Sequence, residues 1–227
     1  MVFVLSSFAH QSFEAHGVPP EKIRRLPLGS ELKRFRATEA DIGSRCSRIR
    51  AGEPLRILTV GSFSFRKGAL DLIEIAKKLN GRMKFRMVGD IEPEAKPLKA
   101  RSNIEFLSRQ PESALHSVYS EADLFLFPTI EDGYAVVLAQ AQAAGLPILA
   151  TPNCAAPDIL RENETGWILP LRKPEAFVQK LEWCDNNREA LARMVRVTYE
   201  TYSPRDWAEV AADLINIYEE WFSQHPA

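Results

Sequence analysis

This 227-residue sequence predicts a doubly wound α/β domain with a Rossmann-like parallel sheet, and three observations predict it. Short, dense apolar runs recur between residues 55 and 169, most of them closed by glycine or proline. Between them lie segments whose apolar residues fall near helical spacing. Strand and helix alternate at intervals that suit parallel strands joined by crossover helices, with helices on both faces of one sheet.

The opening run Val2-Phe3-Val4-Leu5 predicts a short strand. Ser6-Ser7 start a helix that ends near Gly17, because serine accepts a backbone N–H at the cap and glycine takes the left-handed turn beyond it. Pro19-Pro20 precede a brief strand over residues 23–26, and Pro27-Leu28-Gly29 ends it. Residues 30–54 are polar, charged and without period, which predicts a linker or surface loop. The arginines of residues 45–50 read as solvated charges within it.

From Leu55 the pattern sharpens. Residues 56–60 form a buried-strand run punctuated by Gly61. Residues 67–79 carry Leu70, Ile73, Ile75, Ala76 and Leu79 near helical spacing. Residues 84–88 are the next strand, closed by Gly89-Asp90, and residues 103–107 are short and extended. Residues 113–121 read as helix, and 123–127 as a dense apolar strand stopped by Pro128. An alanine-rich helix over 135–144 ends at Gly145, followed by strands over 147–150 and 166–169. Residues 174–222 read as helical throughout, with Ser203-Pro204 marking a restart (serine cap, proline in the first turn).

Composition narrows the function. Against 29 Lys and Arg stand 30 Asp and Glu, a formal charge of −1. Non-specific nucleic-acid binding needs an excess of cations to displace counterions, so charge makes no case for it, although a local anion site stays open. No run approaches the roughly 18 apolar residues that span a bilayer. The first residues lack a charged n-region, so no signal peptide is expected. Three cysteines, Cys46, Cys154 and Cys184, are odd in number and lack metal-ligand spacing, which fits a reducing compartment. The expected location is the cytoplasm, with peripheral membrane association left open.

In a doubly wound sheet, ligands bind beyond the carboxyl ends of the strands. Three segments fall there. Gly61-Ser62-Phe63-Ser64-Phe65-Arg66-Lys67-Gly68 joins a strand to a helix, and two adjacent cations at a helix start make an anion site. The competing reading is a pair of solvated loop charges, and the spacing is not that of a Walker loop. Pro128-Thr129-Ile130-Glu131-Asp132-Gly133-Tyr134-Ala135 also runs from strand to helix. Asp132 there is either a helix cap or an acceptor for sugar hydroxyls, with the backbone N–H groups of residues 133–136 facing a phosphate. Gln140 is a polar side chain in an otherwise apolar helix, either a ligand contact or a surface glutamine. In the third segment, around Arg109, a turn offers backbone groups to a planar base.

These residues together resemble the C-terminal, donor-binding half of retaining nucleotide-sugar glycosyltransferases of the two-Rossmann-domain (GT-B) type, in the large group-1 family. That family has a Gly-Arg-Leu-x3-Lys-Gly turn after a strand and a Pro-Ser-x-x-Glu-Gly-Phe-Gly segment with a second Glu further on. Here the equivalents are Gly61-Ser62-Phe63-x3-Lys67-Gly68 and Pro128-Thr129-x-x-Asp132-Gly133-Tyr134-Ala135, with Gln140 in the second acidic place. Gly145-Leu146-Pro147, Gly166-Trp167 and the terminal helix with Ile217-Tyr218-Glu219 also match.

The resemblance implies roles. Lys67, helped by Arg66, pairs with the diphosphate of a UDP-, GDP- or ADP-hexose and stabilises the leaving charge. Asp132 holds the sugar hydroxyls, and the amides of Tyr134, Ala135 and Val136 support sugar and phosphate. Gln140 bonds the ribose, and the segment at Arg109 cradles the base. No metal is required and no cofactor beyond the substrate is implied.

Three departures stand out. Ser62 replaces the phosphate-binding arginine, Asp132 is one methylene shorter than glutamate, and Gln140 is neutral where a carboxylate is usual. The resemblance also implies a division of the chain. Residues 1–36 are a remnant of an N-terminal acceptor domain, 37–54 a loop, 55–202 the nucleotide-sugar domain and 203–227 a crossover helix. An acceptor domain or a homo-oligomer partner is then expected over apolar surface at Trp207, Trp221 and Phe222.

The leading expectation is an enzyme of the hexosyltransferase type, weak or inactive as this chain alone. The competing one is a non-catalytic interaction module that kept the fold; an epimerase fragment is weaker, since its signature is absent. His10, His16, His116 and His225 are scattered without a nucleophile beside a base. Cys154 reads as a small buried residue, and Trp183, Trp207 and Trp221 as core or packing residues.

Overall fold

The computed structural model describes residues 1–29, 32–100, 102–203 and 205–224. Ser30, Pro204 and His225, which entered the expectations above, lie outside the described residues.

Strands β1 (Val2–Val4) and β2 (Ile23–Arg25) pair in parallel, with helix α1 (Ser7–Ala15) between them in sequence. Helix α2 (Glu39–Arg50) leads to a six-stranded sheet of β3 (Arg56–Val60), β4 (Lys84–Val88), β5 (Glu105–Leu107), β6 (Leu124–Phe127), β7 (Ile148–Ala150) and β8 (Gly166–Ile168). Its order is β5-β4-β3-β6-β7-β8, with every neighbouring pair parallel. The connections hold α3 (Ala69–Lys78), the one-turn α4 (Lys96–Lys99), α5 (Glu112–Ser120), α6 (Val136–Ala143) and the one-turn α7 (Ala156–Ile159). Helices α8 (Pro174–Asn186), α9 (Arg188–Thr201) and α10 (Trp207–Gln224) follow.

Successive residues of a strand point to opposite faces, so each strand feeds two cores. Ile57, Met87 and Leu126 join residues of α2, α3, α8 and α9 in one. Leu58, Val88 and Phe127 join residues of α5 and α6 in the other. That double burial is why the strands read as continuous apolar runs rather than alternating ones. The strand order reverses direction between β3 and β6, and the loops leaving those two strands part there to open a crevice.

Those two loops approach so closely that one residue between them has to be glycine. Gly68 has φ +77°, and a Cβ on it would sit 1.9 Å from the Pro128 carbonyl oxygen. This approach brings the start of α3 beside the end of β6.

The linker expected over residues 37–54 is corrected for most of its length. Residues 39–50 are helix, opened by Thr38, whose hydroxyl accepts from the Asp41 N–H while Asp41 accepts from the Thr38 N–H. Ile42, Cys46 and Ile49 on this helix are buried. Arg45, expected to be solvated, is 0% exposed. Its guanidinium donates to the carbonyls of Ala122 (2.7 Å), Ala144 (2.6 Å), Gly145 (3.1 Å), Tyr119 (3.0 Å) and Ser120 (3.4 Å). It thereby caps the C-terminal ends of α5 and α6 together. Burial pulls its pKa down from 12.5 to about 10.

The C-terminal region is not one continuous helix. Asn187, with φ −125° and ψ 51°, breaks it between α8 and α9. The restart comes at Trp207, where the Asp206 and Glu209 side chains accept from each other's N–H at 2.8 Å. Trp183 and Trp207 are 38% and 52% exposed, so neither is a core residue. Trp183 packs edge-on against the buried Trp167, with ring centroids 5.6 Å apart. On α10, Ile215, Tyr218 and Phe222 are exposed with Trp207, and Tyr218 meets Phe3 of β1 edge-on.

Candidate functional site

The crevice at the β3–β6 reversal is lined from both loops. On one side, Lys67, Asp132, Gly133, Tyr134, Ala135 and Val136 surround a cavity of about 330 Å3. Beyond Gly61, which borders both, a second cavity of about 420 Å3 is lined by Ser62, Arg109, Glu112, Gln140 and their neighbours. The two cavities are neighbours, with Val60, Gly61 and Val137 lining both.

Lys67 stands one residue before Gly68, in a turn closed by its N–H to the Ser64 carbonyl at 3.1 Å. Its ammonium makes a short ion pair with Asp132 Oδ2. Asp132 Oδ1 accepts from the Ala135 N–H at 2.9 Å and the Tyr134 N–H at 3.2 Å. The helix cap considered for Asp132 is not made: one oxygen closes the turn that precedes α6, whose own amides take no side-chain cap, while the other pairs with Lys67. Two of the four amides expected to face a phosphate are spent on this turn; Val136 and Val137, the first residues of α6, line the cavity beside it. Ala135 takes a left-handed conformation (φ 64°, ψ 71°), which turns the chain into α6.

Arg66 points to the neighbouring carboxylate. Its Nη1 lies 2.8 Å from Glu131 Oε1, both side chains being about half exposed, and that hydrogen bond raises its pKa. The two loops are joined by backbone as well, the Ile130 N–H donating to the Arg66 carbonyl at 2.9 Å. Arg66 and Lys67 thus face two consecutive carboxylates, Glu131 and Asp132.

At the far end, Arg109 is exposed at the rim, and Ser62 lies with its hydroxyl 3.5 Å from that of Ser64. Gln140 is partly buried, and its Oε1 accepts from the Tyr119 hydroxyl at 2.9 Å. Tyr119 is fully buried, wedged edge-on against Phe35, and burial raises the pKa of its hydroxyl. That bond commits one end of the Gln140 amide and leaves the other for the groove.

The loop position of the sequence candidates explains their convergence, but several contributors carried no sequence signal. Tyr119 read only as part of a helix. Leu5 and Leu28 come from the N-terminal segment and line the Lys67 end. That segment is held by Ser6 Oγ donating to the Gly133 carbonyl (2.6 Å) and by the Ser7 N–H donating to Asp158 (2.7 Å), which also pairs with Arg25 (3.1 Å). The serine cap of α1 was legible; its second bond to Gly133 was not. Cys154 is buried behind the site with its thiol pushed up to about 12, so it is no nucleophile at neutral pH. None of the described histidines lines the groove. Among the described residues no three His, Cys, Asp or Glu side chains converge as a metal cluster.

A parallel sheet of this order, with a charged groove at its reversal point, is a Rossmann-like domain of the kind that builds GT-B glycosyltransferases. The chain belongs to the group 1 glycosyl transferases, whose family model matches residues 46–201. The amylovoran biosynthesis glycosyltransferase AmsK of Erwinia amylovora is 28% identical over 171 residues, 69% of this chain and 40% of that protein. A D-inositol 3-phosphate glycosyltransferase of Corynebacterium glutamicum is 28% identical over 219 residues, 88% of this chain and 52% of that one. The chain thus spans about half the length of such relatives. Among solved structures, Anabaena HepE in complex with UDP-glucose superposes with a TM-score of 0.80 at 14% identity, covering 97% of this chain and 64% of HepE.

Proposed function

We propose that this chain binds a nucleotide-sugar donor in the β3–β6 groove. With an acceptor domain outside the sequence described, it transfers a hexose with retention of configuration. What carries the reading is that the Lys67–Asp132 cavity and the Gln140–Arg109 cavity border one another at the sheet's reversal point. Lys67 meets the diphosphate, supported by Arg66 and by the first amides of α6, where the helix dipole favours an anion. As the sugar bond breaks, negative charge grows on the leaving diphosphate, and a fixed cation there lowers the barrier. This reading needs no metal ion. Asp132 accepts from sugar hydroxyls, Gln140 bonds the ribose, and the turn at Arg109 holds the base. Relatives of similar sequence are glycosyltransferases, and HepE, alike in fold, was solved with UDP and with UDP-glucose.

Calorimetric titration of the chain with UDP, GDP and ADP tests this. One of them should bind, and Lys67→Ala should weaken it about tenfold or more, the loss of a charge-assisted hydrogen bond. Unchanged affinity in Lys67→Ala would remove Lys67 from the site. The second reading, an interaction module without donor chemistry, is favoured by the exposed Trp207, Ile215, Tyr218 and Phe222 on α10. It gains if a folded chain binds none of the three nucleotides and none of their sugars.

A further inference from the structure

The two charges that the proposed donor needs are already occupied by each other. Lys67 and Asp132 are both largely buried as side chains, 13% and 22% exposed, and they pair directly. A diphosphate reaching Lys67 has to take the ammonium from this carboxylate. Asp132 is not free to swing away, because its other oxygen is fixed by the Tyr134 and Ala135 amides. The flexible partner is the lysine, whose four-carbon stem can leave Asp132 while the carboxylate stays in place.

Resting on the donor-site reading, we infer that Asp132 is a specificity-determining stand-in for the diphosphate, one that sets nucleotide-sugar against bare nucleoside diphosphate. A bare diphosphate takes Lys67 and leaves the Asp132 carboxylate unpaired in a part-buried site, which costs affinity. A nucleotide-sugar takes Lys67 and also brings hydroxyls that donate to the freed oxygen, so the loss is offset. After transfer the sugar is gone, the carboxylate is bare again, and the return of Lys67 to it drives out the product. The neighbouring Arg66–Glu131 pair, about half exposed, is screened by water and contributes less to this choice.

Asp132→Asn separates these effects. The amide oxygen still accepts from Tyr134 and Ala135, so the turn is kept, but the charge facing Lys67 is gone. Titration with UDP and with UDP-glucose should show UDP binding about tenfold tighter in D132N than in the wild type. UDP-glucose should bind about tenfold more weakly, since neutral hydrogen bonds replace charge-assisted ones. Adding Lys67→Met to D132N should erase the UDP gain, because no cation remains to be released. Thermal melts of each variant check that the fold is retained. If the wild type binds UDP and a folded D132N binds it equally or less well, the stand-in role is refuted while the donor site survives. If the folded wild type and D132N bind none of UDP, GDP, ADP and their sugars, both the donor site and the stand-in fall. A wild type that binds UDP-glucose but not UDP, beside a D132N that binds UDP, would support the inference most directly.

Discussion

Replacing Arg45 by methionine tests the buried fork of hydrogen bonds that joins the C-terminal ends of α5 and α6. The guanidinium makes three contacts of 3.0 Å or shorter, to the carbonyls of Ala144, Ala122 and Tyr119. Methionine fills much of the volume but donates to none of them. At about 2 kcal/mol for each buried acceptor left unpaired, the loss is about 6 kcal/mol. Against it stands the relief of burying a charge. The depression of the pKa from 12.5 to about 10 corresponds to about 3 kcal/mol. The net expectation is a loss of about 3 kcal/mol, or about 6–12 °C in Tm for a chain of this size. Guanidinium denaturation followed by far-UV circular dichroism measures it. Arg45→Lys is the informative partner. It keeps the buried charge but offers one compact ammonium to carbonyls spread across two helix ends, so it should be no more stable than Arg45→Met. A loss under about 1 kcal/mol in Arg45→Met, or a clear advantage of lysine, would refute the claim that the fork of hydrogen bonds is what matters.

Two further expectations follow from other parts of the structure. Tyr119→Phe removes the donor to Gln140 Oε1 and should weaken UDP about 2–10-fold; the effect should vanish with a UDP analogue lacking the ribose hydroxyls, and an equal loss for both ligands would show that Tyr119 does not act through the ribose. The thiols of Cys154 and Cys184 are each pushed up to about 12 by burial, above the usual 9. The unfolded chain therefore loses these protons near pH 9 while the native chain keeps them, so their contribution to stability is full below pH 9 and declines as pH rises towards 12. Replacing both by alanine should flatten that decline in a pH series of denaturation curves, and an unchanged slope would mean other groups cause it.

Much of the sheet was legible because its signals are local. The runs at residues 56–60, 84–88 and 123–127 differ from β3, β4 and β6 by at most one residue, since double burial demands apolar side chains on both faces of a strand. Helix α2 was missed for the opposite reason. Its buried stripe of Ile42, Cys46 and Ile49 is interrupted by Arg45, which no periodicity rule assigns to a core. The Thr38–Asp41 capping pair was a usable signal, though aspartate there is less telling than glutamate. An arginine becomes a core residue only when unpaired carbonyls surround it, and those belong to residues 74 to 100 positions away.

The site divides along the same line. Gly61, Lys67 and Asp132 could be placed by sequence alone, because glycine, cation and carboxylate in strand-to-helix loops must arrive at the carboxyl edge of a parallel sheet. That Lys67 faces Asp132, that Arg66 faces Glu131, and that Tyr119 takes one end of Gln140 were decided by the tertiary structure. Secondary structure follows from spacings of two, three and four residues, which a chain carries on its face. Charge pairing acts through space and depends on burial, so partners 65 residues apart meet only after the sheet has set β3 beside β6 and closed the loops over Gly68.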